Sequence, residues 1–251
     1  MGKIIAVVNQ KGGVGKTTTA VNLTAALTER GKKVLLCDFD PQANATSGLG
    51  LNKRKVENSV YDVVVNGVNP KDAIVPTKFG DVLPATADLA GAAVELITMP
   101  EPSHQLKKAL DQVKDQYDMI FIDCPPSLEM LTLNGLTAAD GILVPVQCEY
   151  YALEGLTDLM NTLRMVKKRI NPRLEIFGVA LTMFDGRTNF STQVAQEVRK
   201  YFPGKVYATA VPRNVRLAEA PSHGLPVGAY DKHSKGAVAY NAIADEILKK
   251  L

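Results

Sequence analysis

Cysteine is scarce in this 251-residue chain. Cys37, Cys124 and Cys148 lie far apart, each in or beside an apolar run, and no C-x-x-C occurs. That spacing excludes a disulfide framework and a cluster-ligating set. Buried thiols in a reducing compartment are the expectation. No apolar run approaches the ~20 residues of a membrane span. No signal-peptide pattern precedes the first strand-like run, so a cytoplasmic chain is expected. His104, His223 and His233 have no metal spacing; His223, in a Pro-Ser-His-Gly turn, reads as structural. An excess of one charge is lacking too. Lys and Arg number 29 against 26 Asp and Glu, a net +3, so any nucleic-acid surface must be a local arrangement. No internal repeat, low-complexity linker or composition break occurs, and one domain over 1–251 is expected.

What is present is ordinary globular composition, 46% hydrophobic and 22% charged. Strand-like runs at 4–8, 34–37, 119–122, 142–146 and 176–182 alternate with helical runs at 17–29, 106–113, 131–136, 153–169 and 192–202. Near-continuous apolar strands separated by helices predict a doubly wound, mostly parallel α/β sheet with helices on both faces. Gly31 falls where the first helix should stop. Asn52 to Pro84 is the least regular stretch and reads as an excursion at the sheet edge.

Between the first strand and the first helix stands Asn-Gln-Lys-Gly-Gly-Val-Gly-Lys-Thr-Thr, residues 9–18. Apolar strand, glycine-rich turn and a helix opening on Lys-Thr form a phosphate-binding loop. Gly12, Gly13 and Gly15, with Val14 between, let backbone N–H groups close on phosphate oxygens. Lys16 offers charge to the outer phosphates. Thr17 offers a hydroxyl to Mg²⁺, and Thr18 continues the helix, whose positive end faces the same anion. Neither Lys16 nor Thr17 is expected in the core. The usual pattern wants glycine where Gln10 stands, and Lys11 is an additional lysine. Alone, Lys11 reads equally as a solvated side chain.

Two later strand-like runs end in Asp38-Phe39-Asp40-Pro41-Gln42 and Asp123-Cys124-Pro125-Pro126-Ser127. Ligands of such sheets sit at the carboxyl ends of strands, so three carboxylates converge where the phosphates belong. One strand-end Asp is often a helix cap or turn former; two beside a phosphate loop are harder to dismiss.

These segments resemble the ParA/MinD ATPases with a deviant Walker A loop. Residues 145–155 and 212–224 resemble the ParA/Soj chromosome-partitioning ATPases, and the likeness runs from Met1 to Leu251 without the extra N-terminal DNA-binding domain of larger plasmid relatives. The resemblance implies Mg²⁺-dependent hydrolysis of ATP. It implies Lys11 reaching a partner's nucleotide across a dimer, Asp40 positioning or activating water, Asp123 meeting Mg²⁺ through water and Asp38 supporting near Lys16 and the metal. Pro212, Arg213 and Asn214 would contact adenine. The ATP-bound homodimer would bind double-stranded DNA non-specifically through Arg187 and Arg216, and a ParB-like centromere-binding partner would stimulate hydrolysis on the nucleoid. Lys232 and Lys235 are weaker candidates. From the residues alone, Arg187 reads as a solvated loop residue and Arg216 as a partner for Glu219 one helical turn on.

The competing reading is a MinD-like membrane-associated regulator, which needs an amphipathic C-terminal helix. Tyr240, Ile243, Ala244, Ile247, Leu248 and Leu251 do form a stripe at helical spacing, and a helix docked on the core is the expectation. A metabolic or iron–sulfur relative would want paired ligand cysteines, which are missing.

Overall fold

The computed structural model describes residues 2–149 and 152–250, without the side chains of 152–155. The elements run β1 (Lys3–Val7), α1 (Lys16–Glu29), β2 (Val34–Asp38), α2 (Asn44–Gly48), α3 (Val60–Val64), α4 (Pro70–Ala73), β3 (Asp81–Leu83) and α5 (Leu89–Thr98). They continue as α6 (Gln105–Asp111), β4 (Met119–Asp123), α7 (Met130–Ala138), β5 (Gly141–Gln147), α8 (Ala152–Arg169), β6 (Glu175–Thr182), α9 (Asn189–Tyr201), α10 (Val215–Glu219), α11 (Val227–Tyr230) and α12 (Lys235–Leu248).

Among the described residues the sheet has six strands in the order β3-β2-β4-β1-β5-β6, every pairing parallel. Alternate residues of each strand feed different cores. Ile4, Leu35, Cys37, Ile120 and Ile122 join α5 to α9 on one face. Ile5, Val7, Leu36 and Phe121 join α1 and α12 on the other. A sheet buried on both faces is why its strands read as unbroken apolar runs. Each fully buried Ile, Leu or Phe contributes ~1.5–3 kcal/mol.

Register sets the site. Val7, the last residue of β1, stands opposite Asp123, and Asp123 stands opposite Asp38. Strand pairing alone therefore puts two carboxylates side by side at the mouth of the loop that follows β1. Gly31, at φ +78°, closes α1, and its N–H donates to the Thr28 carbonyl.

The stretch 52–84 is at the sheet edge as expected, but it is not merely irregular. It holds α3, α4 and the edge strand β3, whose Asp81–Leu83 pairs with Leu35–Cys37. The α12 stripe is docked: Tyr240, Ile243, Ala244 and Ile247 are buried in the core that α1 shares. Leu251, Tyr150 and Tyr151 lie outside the described residues. All three cysteines are free and buried, and burial raises each thiol pKa.

Candidate nucleotide site and basic edge

The loop is pinned from outside itself. Asn9 donates its side-chain amide to the Pro145 carbonyl at 2.8 Å and accepts the Lys11 N–H at 3.0 Å. Thr182, at the end of β6, donates its hydroxyl to the Val14 carbonyl at 2.8 Å. Gly13 and Gly15 have φ of +73° and +91°, a conformation that glycine adopts without penalty. Gly15 stands at the N-terminus of α1, and no side chain caps that end. The first N–H groups of a 14-residue helix therefore face the loop, where an anion is the natural cap.

Lys16 corrects its expectation. It is 7% exposed, and its Nζ donates to the Lys11 carbonyl at 3.2 Å. Burial lowers its pKa, opposed by the charges of Asp123 and Asp40. The Asp123 carboxyl is fully buried, and neither oxygen has a hydrogen-bond partner among the described residues. Burial pushes its pKa well up and the adjacent Asp38 adds to the rise, while Thr17 and Lys16 pull the other way. A buried, unpartnered carboxyl is costly unless a ligand completes it. No cluster of three or more His, Cys, Asp or Glu among the described residues is arranged to hold a metal. Asp123 and Thr17 nonetheless suit Mg²⁺, which takes few protein ligands beside waters and phosphates.

Asp38, read as a supporting carboxylate near Lys16 and the metal, directs its hydrogen bonds to α2. It is fully buried, and its Oδ2 accepts both the Thr46 hydroxyl and the Thr46 N–H at 2.7 Å. Burial still pushes its pKa up to about 6. Asp38 thus ties β2 to α2 across the turn that carries Asp40. Asp40 is nearly buried and accepts the Gln42 N–H at 2.9 Å. The same turn holds Ala43 at φ 52°, a conformation that costs a non-glycine residue energy and that collects at functional sites.

Beside the loop is a cavity of about 250 Å³ whose walls include Gly15, Thr18, Met183, Pro212, Arg213 and Asn214. The expected adenine residues are thus brought to the phosphate loop from the far end of the chain. Asn214 also caps α10 by accepting the Arg216 N–H. Met183 was not foreseen; its φ of 49° is a second strained position at the site. Glu149 was missed as well. It faces Lys11 Nζ at 3.7 Å and Arg213 Nη2 at 3.3 Å, and it accepts from Gln147. Lys11 is therefore held within its own chain, half-exposed. A larger, mostly apolar groove between α8 and the β5–β6 edge includes Arg164, Lys167 and Lys205 in its lining but no glycine-rich loop.

A bridge between Phe184 and Pro212 joins the segment that leads to Arg187 with the one that leads into α10, which carries Arg216. Arg187 is 89% exposed, and its Nε and Nη2 meet Asp185 Oδ1 and Oδ2 at 2.9 and 2.8 Å. Arg216 pairs with Glu219 at 2.7 Å, meets Asp231 at 3.4 Å and lies over the Tyr230 ring. The Glu219 pairing is the one helical spacing suggests. His223 stacks on Tyr230, with ring centroids 5.0 Å apart. Lys232 and Lys235 lie exposed on the same stretch.

Comparison with known proteins agrees with this geometry. The AAA domain model matches residues 2–176. The sporulation initiation inhibitor protein Soj of Bacillus subtilis is 58% identical, over 98% of each chain. The chromosome partitioning protein ParA of Myxococcus xanthus is 49% identical, over 100% of this chain and 89% of its own. The crystal structure of cobyrinic acid a,c-diamide synthase from Mycobacterium smegmatis with bound ADP and magnesium superposes with a TM-score of 0.87, at 40% identity over 99% of this chain and 95% of that one. With its phosphate loop, paired strand-end carboxylates and full-length likeness to Soj and ParA, the chain belongs to the ParA/Soj family of chromosome-partitioning ATPases.

Proposed function

We propose that the chain hydrolyses ATP to drive DNA segregation, as one domain spanning 1–251. ATP with Mg²⁺ closes a homodimer, the dimer binds double-stranded DNA non-specifically, and a ParB-like centromere-binding partner stimulates the hydrolysis that releases it. The working location is the cytoplasm, on the nucleoid. Asp123 is the observation that carries the ATPase reading: fully buried beside Lys16 and Thr17, with both oxygens unpartnered.

The N–H groups from Gly12 to Thr18 cradle the phosphates. Lys16 exchanges the Lys11 carbonyl for outer phosphate oxygens. Thr17 and Asp123 would hold Mg²⁺, with Asp38 as a supporting carboxylate beside Asp123. When bound, the metal neutralises charge on the transferring phosphoryl group. Asp40 orients the attacking water and takes its proton. Lys11 leaves Glu149 for the partner's nucleotide, and the cavity walled by Pro212, Arg213 and Asn214 takes the base. Arg187 and Arg216 contact DNA phosphates, for which a planar guanidinium is suited.

Membrane association has less support. The apolar stripe of α12 is already buried against the α1 core, and no helix among the described residues is long and apolar enough to cross a membrane. The test is DNA retention without nucleotide and with ADP, ATP or a slow-hydrolysing analogue, beside anionic lipid vesicles. Retention on DNA with ATP or the analogue alone is expected. Binding to vesicles instead of DNA would overturn the reading.

A further inference from the structure

The cations assigned to DNA are not waiting free. Asp185 meets the Nε and Nη2 edge of Arg187 with both oxygens. That two-point fork is the edge a guanidinium offers to phosphate, so carboxylate and phosphate compete for the same atoms. Arg216 is similarly engaged by Glu219 at 2.7 Å and Asp231 at 3.4 Å. Glu219 is itself steadied by the Tyr230 hydroxyl at 3.2 Å. The pairs lie in solvent, where such contacts are weak and easily exchanged. Asp185 stays ionised throughout the neutral range, because the Arg187 hydrogen bonds hold its pKa down at about 2. Its Oδ1 accepts the Arg187 N–H at 3.1 Å to shape the turn, and an asparagine oxygen does the same.

We propose that Asp185 and Glu219 are internal stand-ins for the DNA phosphate that occupy Arg187 and Arg216 and cap the affinity of this surface. Resting on the DNA reading above, the inference adds a function for two acids. A surface that must release DNA at each cycle gains from a built-in competitor. The competitor takes the arginine back as a phosphate leaves, so no guanidinium is left without a partner.

The test compares Asp185→Asn, Arg187→Ala and the double variant for retention on two unrelated DNA duplexes, loaded with the slow-hydrolysing analogue. ATP affinity is measured beside it, because the Asp185 charge is also felt by Arg213. Asp185→Asn should bind DNA about two- to fivefold tighter at low salt with ATP affinity unchanged, and the gain should shrink as salt screens the surface. Arg187→Ala should weaken retention, and the double variant should match it, because the gain acts through the arginine. Unchanged or weaker binding by Asp185→Asn overturns the proposal while Arg187→Ala upholds the DNA surface. A double variant as tight as Asp185→Asn also overturns it, by making the gain a bulk charge effect. If Arg187→Ala binds as the parent does, the DNA surface itself is wrong, and the proposal falls with it. Glu219→Gln repeats the comparison at Arg216.

Discussion

The phosphate loop and the arginine edge handle charge in opposite ways. Under the loop, Asp123 is fully buried and unpartnered, and Lys16 is buried against one backbone carbonyl. At the edge, Arg187 and Arg216 are exposed and fully engaged by neighbouring carboxylates. Desolvated groups without partners hold free energy that only a ligand of matching charge releases. Solvated pairs hold almost none and exchange freely. The contrast suits the proposed division, with nucleotide bound tightly at the loop and DNA bound loosely at the edge.

The largest expected effect tests the buried side. Lys16→Ala removes the charge on the outer phosphates, and phosphate release should fall about a thousandfold. Because Lys16 is desolvated, its loss should leave circular dichroism unchanged; ordinary turnover would break the assignment. Asp40→Ala keeps the phosphate cradle and removes the group that positions water. Turnover should drop about a hundredfold while ATP-dependent DNA retention persists. If the rate holds, the water belongs to another group, with Asp38 the neighbour to try.

Gly12→Val separates what the chain does alone from what it does in a pair. A Cβ built on Gly12 meets nothing within 4 Å, so the isolated chain has room for a side chain to begin there. Light scattering should find an ATP-binding protein that stays monomeric. An ordinary ATP-dependent dimer would show that no second loop approaches this point. Asp123→Asn relieves repulsion with Asp38, so the nucleotide-free Tm should rise by a few degrees, about 2–4 °C per kcal/mol recovered at this length. The further rise on adding Mg²⁺ and ATP should vanish. A drop in the free Tm would mean that the carboxylate has a partner in solution.

The smallest effect lies at the edge. Replacing Arg216 by Ala in both subunits should flatten the log–log salt dependence of DNA binding by roughly 1.8. It should do so alike on unrelated duplexes, because phosphate contacts carry little sequence information. Lost ATP binding with an unchanged slope would move Arg216 into the nucleotide pocket.

The sheet was legible because its strands are buried on both faces, which leaves unbroken apolar runs ending in Asp38 and Asp123. The loop was legible because glycine and lysine at a strand–helix junction have few other uses. Edge strand β3 was not, since three residues carry no period and Asp81–Leu83 is a strand only through its pairing with β2. Short α2, α10 and α11 were missed for the same reason. Glu149 gives no local sign of its tie to Lys11, which lies far away in sequence. The strained backbone at Ala43 and Met183 is imposed by surroundings that their own residue types do not announce.

The position of β1 in the sheet has a consequence for how the molecule is made. Val7 pairs on one side with Asp123 and on the other with Leu143, so its neighbours belong to residues 119–147. A ribosome emitting ~5–20 residues per second leaves the first strand unpaired for on the order of ten seconds. The loop after it has no Pro145 or Thr182 to pin it during that time. The nascent chain therefore carries its nucleotide-binding segment early and acquires nucleotide affinity late, when the middle of the sheet closes around β1.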